Sequence, residues 1–195
     1  MRLQTVPYLP GPILPAAASR PFSYNKSHCW QYDIRCNNRE QDLLDSGLTA
    51  QDAETINVGD LTFRYVDKTD TDMCHRIVEF IKRHEWLGTM PLHPTHRFIA
   101  EYEDQLAGVV IFSMPTAFSK LLGEETKDLE RLISRGACVS WSPKNTASKL
   151  LMHAIDWMAK NTQFRLFERV SRVRARFITS PCAGPMVDWK IRLGS

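Results

Sequence analysis

The chain has 195 residues, 43% hydrophobic and 24% charged, with a net charge of +3; this is the mix of a globular protein with one packed core and excludes a low-complexity or strongly polyelectrolyte chain. No apolar run approaches the roughly 20 residues needed to cross a bilayer. The apolar stretch 6–18 is broken by Pro7, Pro10, Pro12 and Pro15, which argues against a signal peptide and for a cytoplasmic protein without a membrane partner. The five cysteines are odd in number and widely spaced, so a disulfide framework is not expected.

In chain order, residues 1–22 hold five of the eleven prolines and no hydrophobic periodicity, and read as a disordered end. Residues 23–59 begin with a polar stretch containing His28, Cys29 and Cys36. It continues into short helices around Asp42–Asp45 and Thr49–Ile56, the second capped by Thr49 with Asp52 three residues on.

From residue 60 the pattern is orderly. Leu61–Val66 alternates like a strand. Thr69-Asp70-Thr71-Asp72 opens a helix with a capping-box pattern; Met73, Ile77, Phe80, Ile81 and His84 recur on one face, and the helix is expected to end near Gly88. Arg97–Tyr102 and Leu106–Ser113 form a hairpin around Glu103-Asp104-Gln105, the return strand being apolar throughout and so buried on both faces. A short helix is expected at Lys127–Ile133, then a strand at Ser134–Trp141. Lys149–Asn161 is the clearest helix, with Leu150, Leu151, Ala154, Ile155 and Met158 on one stripe. Phe164–Phe167 reads as a fifth strand. The order β–α–β–β–(α)–β–α–β predicts an α/β (α+β) fold, a mixed central sheet with flanking helices. Residues 168–195 form a basic tail, with Arg169, Arg172, Arg174, Arg176, Lys190 and Arg192 against Glu168 and Asp188, and such a tail can bind the phosphates of a nucleic acid.

The unit that could carry chemistry is the strand–loop–helix at 132–158. A loop feeding a helix N-terminus offers free N–H groups and a positive dipole to a phosphate or carboxylate. Lys144 adds charge; Asn145, Thr146 and Ser148 add hydrogen-bonding side chains. The same unit reads equally as a capped amphipathic helix following a strand. His93 and His96 lie on a proline-bearing loop beside the hairpin, where a histidine could act as a base. His75 and His84 are expected at the surface or edge of the first long helix. Cys138 is expected in the core. Trp86, Trp141 and Trp157 are expected to pack there too, with Trp141 also able to stack on a base.

The run Ser134-Arg135, then Ser142-Pro143-Lys144-Asn145-Thr146-Ala147-Ser148, then an apolar helix resembles phage Mom-type DNA-modification proteins of the GNAT superfamily. The strand–helix–hairpin order with Leu106-Ala107-Gly108-Val109 on the return strand is similar too. The resemblance covers residues 60–167. It implies a GNAT-like sheet splayed to admit acetyl-CoA or a related acyl donor, and transfer of an acyl-type group to nitrogen, in Mom proteins the exocyclic amine of adenine in DNA. It also implies that Arg135 and Ser148 act in catalysis or substrate contact and that Lys144, Asn145 and Thr146 bind the donor.

Two features depart from the family. No glycine lies between Gly136 and Gly184, so the usual glycine-bearing pyrophosphate loop is missing. Nothing after Phe167 matches the family's Tyr-x-Asp-Pro turn, so the closing helix and strand are expected to be absent. The fifth strand would then be an exposed edge and an aggregation hazard, for which Arg174–Ser180 could supply only a weak substitute strand.

The segment Arg20–Arg39 is similar to the second half of a treble-clef-like zinc module, yet residues 1–20 contain no Cys or His. Two or three ligands do not close a tetrahedral site, so no metal is expected. Reading-frame changes near both ends would account for both departures. Two alternatives accompany the acyltransferase reading: an inactive relative that binds nucleic acid through its basic tail, and an acetyltransferase acting on a protein or small amine.

Overall fold

The computed structural model describes residues 30–115, 128–169, 175–178 and 190–193. Among these residues three short helices come first: α1 (Trp30–Asn37), α2 (Arg39–Ser46) and α3 (Ala50–Thr55). Thr49 caps α3 in a reciprocal box, its hydroxyl accepting from Asp52 N–H while the Asp52 carboxylate accepts from Thr49 N–H, as the sequence predicts. Helix α1 occupies the stretch read as polar and zinc-module-like. Cys36 is exposed on it, whereas His28 and Cys29 lie outside the described residues, as do residues 1–22.

The sheet has strand order β1-β2-β3-β4-β5-β6-β7, with β1 Thr62–Val66, β2 Pro94–Tyr102, β3 Gln105–Ser113, β4 Glu130–Cys138, β5 Leu166–Arg169, β6 Ala175–Ile178 and β7 Lys190–Leu193. Every neighbouring pair is antiparallel except β4 and β5, which run parallel. That one parallel step requires a crossover, supplied by α5 (Thr146–Asn161). The fold is thus the mixed sheet with flanking helices that the sequence predicts. Its hairpin turn takes left-handed backbone at Glu103 and Asp104.

Helix α4 (Thr71–His84) connects β1 to β2. Its cap is Asp70, which accepts from Met73 N–H at 3.1 Å; Thr69 instead turns back to the Asp67 carboxylate, so the helix opens one residue later than the box pattern suggests.

The two long helices cover opposite faces. On the α5 face, Tyr65 stacks on Trp157 with centroids 4.3 Å apart, and Phe98 meets both His153 and Trp157. Here Gly108 lets the sheet approach the helix: a Cβ at this position would lie 3.0 Å from Cys138 Sγ and 3.4 Å from Leu150. On the α4 side, Met73, Ile77, Phe80 and Ile81 are buried. Strand β3 lies between the two layers, and Ala107–Ser113 is buried throughout, which is why its sequence shows no alternation.

Three expectations change. Residues 130–133 belong to β4 and not to the helix expected at Lys127–Ile133; Lys127 lies outside the described residues. The apolar run Leu132-Ile133 reads either way from periodicity alone, and pairing with Ser113 and Phe112 on β3 decides it. Second, the fifth strand is not an edge: β6 pairs with it from Leu166↔Ile178 to Glu168↔Arg176, and β7 pairs with β6. Among the described residues after β5, Ala175–Ile178 and Lys190–Leu193 extend the sheet as two short antiparallel strands, the first within the segment 174–180, so the edge expected at β5 does not arise among the described residues. Third, His84 is 6% exposed, because it continues the apolar stripe of α4.

Candidate functional site

Strand β4 carries the irregularity that shapes the site. Its pairing with β3 runs Ile111↔Arg135 and then Phe112↔Ile133, so Ser134 is an extra residue, a β-bulge. The bulge is held by side chains: Ser134 Oγ donates to Ile111 O at 2.9 Å and accepts from Ser113 Oγ at 2.8 Å. The ladder between β4 and β5 runs from Glu130↔Leu166 to Ile133↔Arg169.

Past β4 the chain turns tightly. Ser142 N–H donates to Val139 O, and Ser142 Oγ donates to the same carbonyl. Asn145 stands at the N-cap of α5 with φ 68°, left-handed backbone that asparagine tolerates better than most residues. Its side chain makes no capping hydrogen bond, and the first turn of α5 contains no acidic residue. Helices α3 and α4 differ: each has a side-chain cap. Lys144, Asn145 and Ser148 are exposed together around this helix start. Thr146 is not part of that surface. It is 2% exposed, and its hydroxyl donates to Pro143 O at 2.8 Å, locking the turn from within.

Arg135 lies elsewhere. Alternation along β4 from Cys138, which faces α5, places Arg135 on the α4 face. Its Nε donates to Thr89 O at 2.7 Å and lies 3.8 Å from the Glu85 carboxylate. Glu85 is 5% exposed, and burial raises its pKa, with Arg135 and the N–H of Leu87 acting in the opposite direction. The structure thus brings Lys144, Asn145 and Ser148 together and sets Arg135 on the other side of the sheet.

The α4 side also holds a group of residues that the sequence left unremarked. Asp42 is 3% exposed; its Oδ1 accepts from Arg83 at 2.9 Å and its Oδ2 from Ser140 N–H at 3.1 Å, with His84 Nδ1 3.8 Å from Oδ2. Arg35 on α1 donates to Ser140 O at 3.2 Å and to Ser142 O at 2.8 Å. A cleft of about 660 Å³ opens beside these residues, lined in part by His75, Arg76, Phe80, His84 and Trp141. Burial lowers the His84 pKa, with Asp42 opposing. Trp141 is 4% exposed and meets Tyr102 edge-on, so it is a core residue and not a platform for a base. Sequence patterning places His84 in the apolar stripe of the helix, which is where the structure buries it. Asp42 sits in a short, mostly exposed helix and gives no such signal.

On the α5 face, His96 packs among Tyr65, Trp157 and Phe164. Burial, followed by Arg131 and Arg97, lowers its pKa to about 4. A histidine held neutral in the fold stabilises it fully above the unfolded value near 6.5. That stability is lost as pH falls from 6.5 toward 4, where only the unfolded chain takes the proton. Urea titrations at pH 7.0 and 4.5 are expected to show a drop in stability that His96→Gln reduces by about 2 kcal/mol, allowing for the ring's partial solvent contact. An equal drop in both proteins would remove His96 from the account.

Among the described residues no group of three or more His, Cys, Asp or Glu is arranged to hold a metal ion, and no helix is long and apolar enough to cross a membrane. No family model matches the chain, and no curated protein sequence matches it. Among solved structures it is similar to malonyl-CoA decarboxylase from Rhodopseudomonas palustris, with a TM-score of 0.44 and 14% identity over 73% of this chain and 41% of that one. It is also similar to an N-acetyltransferase from Staphylococcus aureus Mu50, with a TM-score of 0.35 and 15% identity over 63% of this chain and 75% of that one. The chain spans less than half the length of the decarboxylase. Likenesses this distant leave the chemistry to be argued from the chain's own residues.

Proposed function

We propose that this chain is a GNAT-like N-acyltransferase that takes acetyl-CoA or a related acyl-CoA at the β4–α5 junction. The observation that carries the reading is the Ser134 bulge in β4, held by the Ser113 and Ser134 hydroxyls, on the strand that leads into the start of α5. A bulge bends its strand and increases local twist, which favours separation of β4 from β5 and leaves the Ser134–Cys138 backbone to pair with the amide-bearing arm of a donor.

The donor's phosphates then fall at the α5 N-terminus. The first-turn N–H groups of a helix lack intrahelical acceptors, and the helix dipole favours an anion there. Lys144 supplies a full positive charge and Asn145 and Ser148 supply side-chain hydrogen bonds, while the absence of an acid in the first turn removes a competing carboxylate. Thr146 contributes by fixing the turn. Chemistry at this site is attack of an uncharged amine on the thioester carbonyl: the C–N bond forms, the C–S bond breaks, and the amine's proton passes to the leaving thiolate to give the free thiol. Arg135, beside the bulge but on the α4 face, is assigned to an acceptor contact. The acceptor that accompanies the Mom-type resemblance is the adenine amine of DNA, which requires the base to leave the stack.

Calorimetric titration of the folded chain with coenzyme A tests the donor half of this reading. Saturable binding is expected, weakened about tenfold by Lys144→Ala, equivalent to about 1.4 kcal/mol, and less by Ser148→Ala. A folded protein that takes up no coenzyme A overturns the reading, and binding of nucleic acid by the basic tail becomes the function to test. If the donor binds, acetyl transfer is assayed in parallel on single-stranded DNA and on small amines, and transfer confined to the amines overturns the adenine assignment.

A further inference from the structure

The segment before the sheet has no part in the donor site as described, yet it reaches the loop that forms it. Arg35 on α1 donates from Nη2 to Ser142 O at 2.8 Å, to Ser140 O at 3.2 Å and to Ser142 Oγ at 3.3 Å, and from Nε to Ser140 O at 3.4 Å. Asp42 on α2 accepts from Ser140 N–H at 3.1 Å. Two carbonyls and one N–H in the short turn between β4 and α5 are therefore satisfied by side chains about a hundred residues earlier in the sequence.

That grip is itself anchored. Arg83 on α4 binds Asp42 through Nη2 and Asp45 through Nη1. Asn38 donates to Arg83 O, and the Gln31 amide bridges His84 O and Trp86 N–H. Helices α1 and α2 are thereby joined to α4, a core element, as well as to the turn.

We propose that Arg35 and Asp42 are positioning residues that hold the Ser140–Asn145 turn in the shape that presents the α5 N-terminus to the donor. The proposal rests on the acyl-CoA reading given above. The turn has hydrogen bonds of its own, from Ser142 to Val139 O and from Thr146 to Pro143 O, but these do not tie it to the rest of the fold as Arg35 and Asp42 do, and a site aimed at an anion loses affinity when its donors are free to reorient. A guanidinium fits this task because its forked N–H groups can bind two carbonyls at once, which an ammonium does less well.

The test uses the full chain and two readouts. Hydrogen exchange followed by mass spectrometry reports on the peptide covering residues 139–148, and calorimetry reports on coenzyme A binding. In Arg35→Ala, exchange in that peptide is expected to rise while the β2–β3 hairpin is unchanged, and the dissociation constant for coenzyme A is expected to rise about tenfold, or about 1.4 kcal/mol. Arg35→Lys should recover part of both effects. Asp42→Asn, which keeps an oxygen facing Ser140 N–H, should show a smaller change in the same direction. Arg64→Ala serves as the charge-matched control, since Arg64 pairs with Glu101 on β2 away from the turn. Unchanged exchange in Arg35→Ala overturns the proposal, and so does raised exchange with unaltered coenzyme A affinity. If the wild-type chain binds no coenzyme A, the donor reading is what fails, and the exchange result alone then upholds or overturns the grip of α1 and α2 on the turn.

Discussion

Phe98→Ala is expected to cost about 4 kcal/mol of unfolding free energy, the range found when a fully enclosed aromatic ring is truncated. Phe98 has no solvent exposure and lies at the centre of the α5 face. Its ring meets Tyr65 at 5.5 Å, Trp157 at 5.5 Å, Phe112 at 5.9 Å and His153 at 6.4 Å. Truncation removes apolar area and the edge-to-face contacts together, and leaves a cavity bordered by a helix and two strands that cannot all close on it. Urea denaturation followed by far-UV circular dichroism measures the cost. Phe98→Leu, which fills more of the space, should lose less than half as much. A loss below about 1 kcal/mol for the alanine variant would mean that α5 does not pack on β2 as described.

Asp42→Ala is expected to destabilise by about 3 kcal/mol. The carboxylate is almost fully enclosed, with a side-chain exposure of 1%, while Arg83 retains 39%. Removal therefore acts unequally on the partners. Arg83 can turn to water and to Asp45. The Ser140 N–H is buried, loses its acceptor, and bears most of the cost. Arg83→Ala leaves the carboxylate enclosed with the Ser140 N–H as its remaining close hydrogen bond, and is expected to cost a comparable amount. The double variant should fall well short of the sum of the two, because each single change strands the other's partner. Additive losses would show that the two groups do not act as a pair.

Much of the architecture follows from local rules. Strand β3 is legible because an unbroken apolar run between turn residues suits only a strand covered on both sides. Helix α5 is legible from Leu150, Leu151, Ala154, Ile155 and Met158 on one stripe, all buried except Leu151, which is half-buried against the core. The Thr49 box formed as written. Residues 130–133 were not legible, because a short apolar run carries no period and only its partner strand fixes its state.

The candidate site divides in the same way. The sequence by itself determined that Lys144, Asn145 and Ser148 share a helix start, since residues within one turn stay together whatever the rest of the chain does. It could not determine that Thr146 turns inward, or that Arg135 faces α4. A single bulged residue at Ser134 reverses the facing of every side chain before or after it, and the bulge exists only in the pairing with β3. Nor could it determine that Arg35 and Asp42 hold the turn before α5, because their partners are backbone groups 98 to 107 residues away. Peptide N–H and C=O groups are the same at every position, so contacts to them leave no mark in residue type; only the tertiary structure decides which ones a distant side chain meets.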